Sequence, residues 1–374
     1  MKNIKLAISC GGTGGHFYPG VSVGCELNSS GGEVLLLLGG KHGEKQAAHA
    51  REKGLRAVAL PVMPSPSLRH PLTIPKFLYG LLKSRRTALR ALREFKADAV
   101  LGMGSFAGLP VMMAARRLRL PVFLHDGNAK VGRANRYFSR RAVFLAASFP
   151  PVNPEKIRCP WDVTGMPIRR ELLTEVSRED AVAKLNRRYG SQLEAGRRTF
   201  LIFGGSQGAR SINMAFSRAL TELAANGKDF QVIHLSGGND YQVMKSIWSK
   251  ASFPVLLQPS TDDMLDVYSC ADLVIARSGG SSVAEIARFA LPSVLIPYPY
   301  AAENHQWYNA EYLASAGAAR ILPNDECDNR AGALAAEFLD DPGKFIPAEP
   351  VFSALARPDA SSRLLEAIAS RLPD

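Results

Sequence analysis

The chain has 374 residues, of which 46% are hydrophobic and 21% charged, and its formal net charge is +12 at pH 7. This length predicts two domains, and the composition excludes a disordered or fibrous chain. No apolar run reaches the ~20 residues of a membrane-spanning helix, and no secretory signal pattern follows the first residues. We therefore expect a globular protein that is not exported.

Short apolar runs alternate with helix-length segments along the chain. The runs that predict strands are 4–9, 34–38, 58–60, 99–101, 122–124 and 142–146, then 199–203, 231–235, 255–257, 273–276 and 293–297. This alternation predicts an α/β protein with two Rossmann-like, doubly wound parallel-sheet domains. We place the first domain at 1–160, the second at 161–355, and a final amphipathic helix, expected to return to the first domain, at 356–374.

Two glycine-rich turns, 11–15 and 204–208, each connect a predicted strand to a predicted helix. Backbone N–H groups at such a turn, beside the positive end of the helix dipole, favour a phosphate. Neither turn has the GxGxxG pattern or the GK[ST] ending of a P-loop, so a tight turn without a ligand is the alternative. His16 closes the first turn, where it either caps or packs the helix or serves as a general base.

Residues 68–96 combine a basic rim with an apolar stripe that consists of Ile74, Phe77, Leu78, Leu81 and Leu82. The pattern is typical of helices that lie on a membrane surface, although a helix packed on its own sheet is the alternative. Residues 1–160 contain 25 Lys and Arg against 8 Asp and Glu, whereas the remainder contains 21 against 26. We therefore expect the first half to bind an anionic membrane, and no motif indicates nucleic-acid binding.

Five widely spaced cysteines form no CxxC pair: Cys10, Cys25, Cys159, Cys270 and Cys327. Their spacing predicts a reducing compartment, buried thiols and no zinc site. Cys10 lies beside the first glycine turn, and we interpret it as a core thiol at a strand end rather than a reactive group.

Two polar segments follow predicted strands of the second half. The segment 277–285 opens a helix that carries Glu285, whose carboxylate either complements the helix dipole or holds two ribose hydroxyls. The cluster 303–306 offers short polar groups that suit sugar hydroxyls, although loop polarity alone also explains it.

Five motifs, spread over nearly the whole chain, resemble those of one family. They are GGTGGHFYPG at 11–20, HDGN at 125–128, GGSQGARSIN at 204–213, RSGGSSVAEI at 277–286 and ENHQWYNA at 303–310. In this order they resemble the MurG family of peptidoglycan N-acetylglucosaminyltransferases, whose GT-B fold has two Rossmann-like domains facing a cleft. The resemblance implies transfer of N-acetylglucosamine from UDP-GlcNAc to the C4 hydroxyl of the MurNAc-pentapeptide of lipid I, which gives lipid II with inversion of the anomeric carbon.

His16 is our candidate for the catalytic base, because sugar transfer needs a group that takes the proton of the attacking hydroxyl. The resemblance implies the other residues that act. The implied contacts of UDP-GlcNAc are Thr13, Gly14, Gly15, Asn128, Arg169, Ser206, Gln207, Thr261, Gly280, Ser281, Ser282, Val283, Ala284, Glu285, Asn304 and Gln306. Of these, Ser206 and Gln207 would hold the phosphates, Glu285 the ribose, and Thr261 the uracil edge. The implied contacts of the acceptor are Gly104, Ser105 and His125.

No DxD-type metal motif is evident in the sequence, so we expect donor binding to need no metal, and we expect no cofactor. The resemblance implies further properties. It implies a peripheral location at the cytoplasmic face of the inner membrane, with proteins of cell-wall synthesis and division as possible partners. Three motifs depart from the family pattern: HDGN stands for HEQN, Phe106 for the tyrosine of GxGGY, and Met166 for the asparagine of GNP. None of these departures lies in the turn that would bind the donor phosphates.

Three alternatives remain open at this point. One is another GT-B enzyme, for example a transferase that glycosylates diacylglycerol. The second is a nucleotide-dependent oxidoreductase with Rossmann halves, which the missing GxGxxG pattern disfavours. The third is a catalytically silent scaffold at the division machinery.

Overall fold

A computed structural model describes residues 4–64, 73–205, 208–347 and 350–372. The chain divides into two compact units. The first contains the residues up to Arg169 together with those from Pro358 onward, and the second runs from Arg170 to Arg357. Within the described ranges, none of the helices is both long and apolar enough to cross a membrane.

The first unit is built on a seven-stranded parallel sheet. Its strands are β1 (Lys5–Gly11), β2 (Glu33–Gly39), β3 (Arg56–Ala59), β4 (Ala99–Gly102), β5 (Val122–Asp126), β6 (Phe144–Ala147) and β7 (Trp161–Val163). Their order is β3-β2-β1-β4-β5-β6-β7. Because the order reverses between β1 and β4, the loops after these two strands open side by side at the carboxyl edge of the sheet.

Helices cover both faces of this sheet. They are α1 (Gly14–Ser29), α2 (Gly43–Glu52), α3 (Thr73–Phe95), α4 (Leu109–Leu118) and α5 (Arg133–Phe138). Strands in such a sheet are apolar along their whole length rather than on one face, and Leu36, Leu37 and Leu38 of β2 are accordingly all fully buried.

The second unit repeats this architecture with six parallel strands. They are β8 (Thr199–Phe203), β9 (Gln231–Leu235), β10 (Val255–Gln258), β11 (Leu273–Ala276), β12 (Ser293–Leu295) and β13 (Ala319–Ile321), in the order β10-β9-β8-β11-β12-β13. The helices are α6 (Arg178–Tyr189), α7 (Arg210–Ala225), α8 (Tyr241–Trp248), α9 (Met264–Ser269), α10 (Gly280–Arg288), α11 (His305–Ala314), α12 (Cys327–Asp340) and α13 (Val351–Leu355).

The last helix, α14 (Ala360–Ala369), packs on the first unit. Its Leu364 and Ile368 are fully buried in the core cluster that lies between α1 and the sheet. The Ser362 hydroxyl donates to Glu26 Oε1 over 3.1 Å. The chain therefore enters the second unit once and returns to complete the core of the first.

The predicted fold class of two doubly wound α/β domains is confirmed by the two sheets. The edge strands β7 and β13 were not predicted, because neither is an apolar run. Trp161 and Asp162 of β7 are exposed, and β13 is only half-buried throughout. A strand with one neighbour and one covered face does not need continuous hydrophobicity.

All five cysteines lie in the described ranges, and no disulfide joins any two of them. Cys10, Cys270 and Cys327 are buried as predicted, but the prediction is wrong for Cys25 and Cys159, which are only half-buried. Burial raises the pKa of the Cys10 thiol to about 12, so it stays protonated, as expected of a core thiol. Among the described residues, no group of three or more His, Cys, Asp or Glu side chains could hold a metal ion. The expectation that no metal is needed stays a prediction.

Candidate active site

The first glycine turn joins β1 to α1. Gly11 has φ 114°, which favours glycine, and a Cβ atom there would lie 2.7 Å from Gly39 O. Thr13 is the N-cap residue of α1, and residues 14–16 form the first turn of the helix. The first amide groups of α1 are therefore presented at the carboxyl edge of the sheet, where they favour an anion.

His16 is half-buried, and its Nδ1 atom lies 2.7 Å from the carbonyl oxygen of Met103. Because a carbonyl oxygen can only accept, Nδ1 carries a proton and donates it. In the neutral imidazole, Nε2 is then the nitrogen that can take up a proton. The loop after β4 therefore holds His16 in the tautomer that a general base at Nε2 needs.

Asp126, at the end of β5, organises the loop that follows. Its Oδ1 accepts from the Asn128 N–H over 3.1 Å. Its Oδ2 accepts from the Gly132 N–H over 2.8 Å and from Asn135 Nδ2 over 3.0 Å. Burial raises the pKa of this carboxyl, and the three donors oppose that shift. Asp126 thus shapes the segment that contains Asn128.

His125 is 1% exposed, and its ring contacts protein groups. Its Nε2 lies 3.1 Å from Ser148 Oγ and 3.4 Å from Gly165 O. Burial lowers the pKa of His125 to about 4, so the ring is neutral near pH 7. Its contact with the acceptor stays a prediction, and the residue is buried in this structure.

Two of the departures from the family pattern lie in contact. A Cβ atom at Gly127 would lie 2.9 Å from Met166 Cε, and Met166 is buried. The methionine therefore occupies space that a side chain at position 127 would need. The third departure, Phe106, is stacked on Phe77 of α3, with ring centroids 6.1 Å apart.

The predicted acceptor residues Gly104 and Ser105 lie beside the first turn. Gly104 has φ 87°, and a Cβ atom there would lie 3.0 Å from Asn135 Nδ2. Ser105 Oγ accepts from the Ala107 N–H and lies 3.4 Å from the position of a Cβ atom at Gly12. The loops after β1, β4 and β5 thus come together in the first unit.

Arg169 is the last residue of the first unit before the chain enters the second. Its guanidinium carbon lies 5.4 Å from the ring centroid of Tyr18, which follows the first turn of α1. The structure therefore places the Arg169 side chain beside α1. The contact of Arg169 with the donor stays a prediction, as do those of Thr13, Gly14, Gly15 and Asn128.

The second glycine turn joins β8 to α7. Gly208 has φ 75°, and a Cβ atom there would lie 2.5 Å from Ser236 O, so the turn passes tightly against the loop after β9. Ser206 and Gln207, the predicted phosphate contacts, lie outside the described residues.

A buried chain of polar side chains fixes the start of α7. Trp248 Nε1 donates to His234 Nδ1 over 2.9 Å, and the His234 Nε2–H therefore donates to Asn213 Oδ1 over 3.0 Å. Asn213 Nδ2 donates to Asp240 Oδ2, and Asp240 Oδ1 accepts from Arg210, each over 2.9 Å. Burial lowers the pKa of His234 to about 3, so the ring stays neutral. The donor and the acceptor of every hydrogen bond in this series of side chains are therefore known.

The helix α10 begins after Gly279, its N-cap residue, so Gly280, Ser281 and Ser282 form its first turn. Ser281 Oγ is buried and has no hydrogen-bond partner within the described part of the chain. Val283 is fully buried and Ala284 is half-buried, and the contacts of residues 280–284 with the donor stay predictions. The N-terminus of α10 thus offers amide groups at the carboxyl edge of the second sheet.

Glu285 is the sixth residue of α10 and lies beyond its first turn. The helix dipole acts mainly within the first turn, so dipole complementation does not account for this carboxylate. The Tyr268 hydroxyl donates to Glu285 Oε2 over 2.8 Å. Glu285 is thus tied to α9, and its contact with ribose stays a prediction.

The predicted uracil residue Thr261 is held by its neighbours. Its hydroxyl lies 2.7 Å from the Tyr189 hydroxyl and accepts from the Asp263 N–H over 2.9 Å. The Tyr189 hydroxyl also donates to Asp263 Oδ2 over 2.7 Å. The contact of Thr261 with the uracil edge stays a prediction.

The predicted sugar contacts Asn304 and Gln306 lie where the loop after β12 enters α11. Glu303 and Asn304 have φ 54° and 59°, which is uncommon for residues other than glycine. Gln306 Oε1 accepts from the Tyr298 N–H over 2.9 Å, and Gln306 O accepts from the Ser278 hydroxyl over 2.7 Å. Positive φ at a residue other than glycine is typical of functional sites, and the sugar contacts of Asn304 and Gln306 stay predictions.

Comparison with known proteins supports one family. Residues 6–145 match the glycosyltransferase family 28 N-terminal domain, and residues 199–337 match its C-terminal domain. A Halothermothrix orenii protein is 35% identical over 353 residues, with 91% of each chain covered. A Listeria monocytogenes protein is 33% identical over 373 residues, with 98% of this chain and 99% of the relative covered. Both are named UDP-N-acetylglucosamine–N-acetylmuramyl-(pentapeptide) pyrophosphoryl-undecaprenol N-acetylglucosamine transferase.

Solved structures agree with the sequence comparison. Acinetobacter baumannii MurG superposes with a TM-score of 0.72 at 25% identity, covering 98% of this chain and 99% of that one. A Neisseria meningitidis UDP-GlcNAc 2-epimerase, bound to UDP-GlcNAc, gives 0.70 at 14% identity, covering 98% and 100%, and shows the fold alone. The resemblance to the MurG family is confirmed. The chain belongs to the UDP-N-acetylglucosamine–N-acetylmuramyl-(pentapeptide) pyrophosphoryl-undecaprenol N-acetylglucosamine transferases of glycosyltransferase family 28.

Proposed function

We propose that this protein transfers N-acetylglucosamine from UDP-GlcNAc to the MurNAc-pentapeptide carried on pyrophosphoryl-undecaprenol. The substrate pair is supported by the names of relatives that match along nearly the whole chain. In the structure, the observation that carries the chemistry is the His16 imidazole, whose Nδ1 donates to Met103 O. Its Nε2 is thereby suited to take a proton from an attacking hydroxyl.

The reaction is a direct displacement at the anomeric carbon. The C4 hydroxyl of the acceptor loses its proton to His16 Nε2 as its oxygen bonds to the anomeric carbon, and the bond to UDP breaks on the opposite side. The configuration at that carbon inverts. Negative charge gathers on the leaving diphosphate, where the amide groups at the N-termini of α7 and α10 stabilise it more in the transition state than in the ground state.

Association with a membrane surface is proposed for the outer face of α3. Leu78, Tyr79 and Leu82 are 50%, 69% and 49% exposed, whereas Gly80 and Ser84 lie on the buried face of the helix. Exposed basic residues on the same helix are Lys76, Lys83, Arg86, Arg90 and Arg93. An exposed apolar group with a basic rim suits an anionic lipid surface, and protein partners of cell-wall synthesis and division stay predictions.

The structure sharpens the choice of residues for testing this surface. Leu78 and Leu82 are more exposed than Phe77 and Leu81, which are half-buried. We expect Leu78→Ser with Leu82→Ser to weaken binding to phosphatidylglycerol vesicles about tenfold, because two apolar side chains no longer insert. Leu173→Ser, which changes an exposed leucine of the second unit, is the control in vesicle sedimentation. Equal binding by the double variant and the parent would end the membrane proposal.

The test of the catalytic proposal is the release of UDP from UDP-GlcNAc, measured with and without a lipid I analogue. We expect release to depend on the analogue and to be absent with a diacylglycerol acceptor. Release that is independent of the acceptor, or supported by diacylglycerol alone, would contradict the proposed substrate.

A further inference from the structure

Tyr268 and Glu285 form one hydrogen-bonded pair between α9 and α10. The Tyr268 hydroxyl donates to Glu285 Oε2 over 2.8 Å. The tyrosine ring is stacked on Phe289, with centroids 4.9 Å apart and planes inclined by 23°, and it meets Phe203 in a T-shaped contact at 6.1 Å. Tyr268 is 1% exposed. Packing against two other aromatic rings therefore fixes the direction of its hydroxyl.

Glu285 gains from such a fixed donor because of its position and its length. A glutamate side chain has three rotatable bonds and loses rotamer freedom when it binds a ligand. Glu285 is half-buried and lies beyond the first turn of α10, where the helix dipole contributes little. A hydrogen bond from a hydroxyl to a carboxylate is among the stronger kinds, so it can select one rotamer before a ligand arrives.

We propose that Tyr268 is a positioning residue for uridine nucleotides: its hydroxyl holds the Glu285 carboxylate in the rotamer that accepts hydrogen bonds from the ribose hydroxyls. Tyr268 acts through Glu285. This inference rests on the proposed function, in which Glu285 binds the ribose of the donor.

The proposal makes a ligand-specific expectation. Ordering one flexible side chain costs enough to weaken binding about threefold to tenfold. Without the Tyr268 hydroxyl, UDP binding pays this cost, whereas 2′,3′-dideoxy-UDP, which has no ribose hydroxyls to offer Glu285, does not. The ratio of the dissociation constant of 2′,3′-dideoxy-UDP to that of UDP should therefore fall. A role of Tyr268 in packing alone would leave this ratio unchanged.

The experiment is calorimetric titration of the full chain with UDP and with 2′,3′-dideoxy-UDP. Tyr268→Phe removes the hydroxyl and keeps the ring. Glu285→Gln tests the ribose contact itself. Tyr312→Phe is the matched control, because it removes the hydroxyl of another tyrosine of the second unit, one that donates to Leu355 O. Both ligands are measured on one preparation, so a lower folded fraction affects both alike and leaves the ratio intact.

We expect Tyr268→Phe to lower the ratio about threefold to tenfold, Glu285→Gln to lower it at least as much, and Tyr312→Phe to leave it unchanged. If Glu285→Gln lowers the ratio and Tyr268→Phe does not, the positioning role is wrong and the ribose contact stands. If neither variant changes the ratio, the ribose contact of Glu285 is wrong, and the positioning role falls with it.

Discussion

The two units hold their candidate functional residues by different means. In the first unit, backbone groups hold His16 and most of the Asp126 carboxylate: the carbonyl of Met103 orients His16, and Asp126 accepts from two backbone N–H groups and from Asn135. In the second unit, side chains hold side chains, as in the pair of Tyr268 with Glu285 and in the buried polar chain beneath α7. Function in the first unit should therefore depend on the reacting side chain itself, whereas the second unit should be sensitive to residues that no ligand touches.

The largest effect is expected at His16. His16→Ala should lower the rate of transfer about 10²-fold to 10⁴-fold, because the attacking hydroxyl loses its base, while UDP binding changes little. His42→Ala, which removes an exposed histidine of the same unit, is the control. Steady-state rates with a lipid I analogue provide the measurement. A His16→Ala rate within threefold of the parent rate would remove His16 from the mechanism.

The buried chain of the second unit should give the next largest effect. Asn213 is fully buried, and Asn213→Ala removes one hydrogen bond from buried His234 and one from buried Asp240. We expect the free energy of unfolding to fall by about 2–4 kcal/mol, measured by urea denaturation. Asn226→Ala, at the exposed C-cap of the same helix, should change it little. A similar small change in both variants would mean that these buried hydrogen-bonded side chains do not stabilise the second unit.

Acid should weaken both units by the same cause. Burial lowers the pKa of His125, in the first unit, to about 4 and that of His234, in the second, to about 3, from the ordinary 6.5. Between each lowered pKa and pH 6.5, the unfolded chain therefore binds more protons than the folded chain. The contribution of these two groups to the free energy of unfolding is fully present above pH 6.5 and is lost as the pH drops toward 4. At pH 5 each of the two imidazoles should lower the free energy of unfolding by about 2 kcal/mol relative to pH 7. Urea midpoints that are equal at pH 7 and pH 5 would contradict this expectation.

The strands and helices that could be predicted are those that a short stretch of sequence determines by itself. Continuous apolar runs, such as that of β2, predict strands covered on both faces, and glycines before His16 predict a turn that opens a helix. The edge strands β7 and β13 were missed because their partial exposure removes the apolar signal. Element positions could thus be predicted where burial leaves a pattern in the sequence.

The partners of the candidate residues could not be predicted. Met103 lies 87 residues from His16 and contributes only a backbone oxygen, for which no residue type leaves a signal. Tyr268 lies 17 residues before Glu285 on a different helix, and only the packing of α9 beside α10 brings them together. Motifs identify residues that face a ligand, while the residues that orient them depend on tertiary contacts.

The most direct test of the proposed activity is the structure of the product. Labelled UDP-GlcNAc is incubated with the full chain and a lipid I analogue, and the isolated product is examined by NMR. We expect the label in a disaccharide in which N-acetylglucosamine is β-linked to the C4 oxygen of the muramyl sugar, as inversion of the α-linked donor requires. An α-linked product, attachment at another hydroxyl, or no transfer at all would contradict the account.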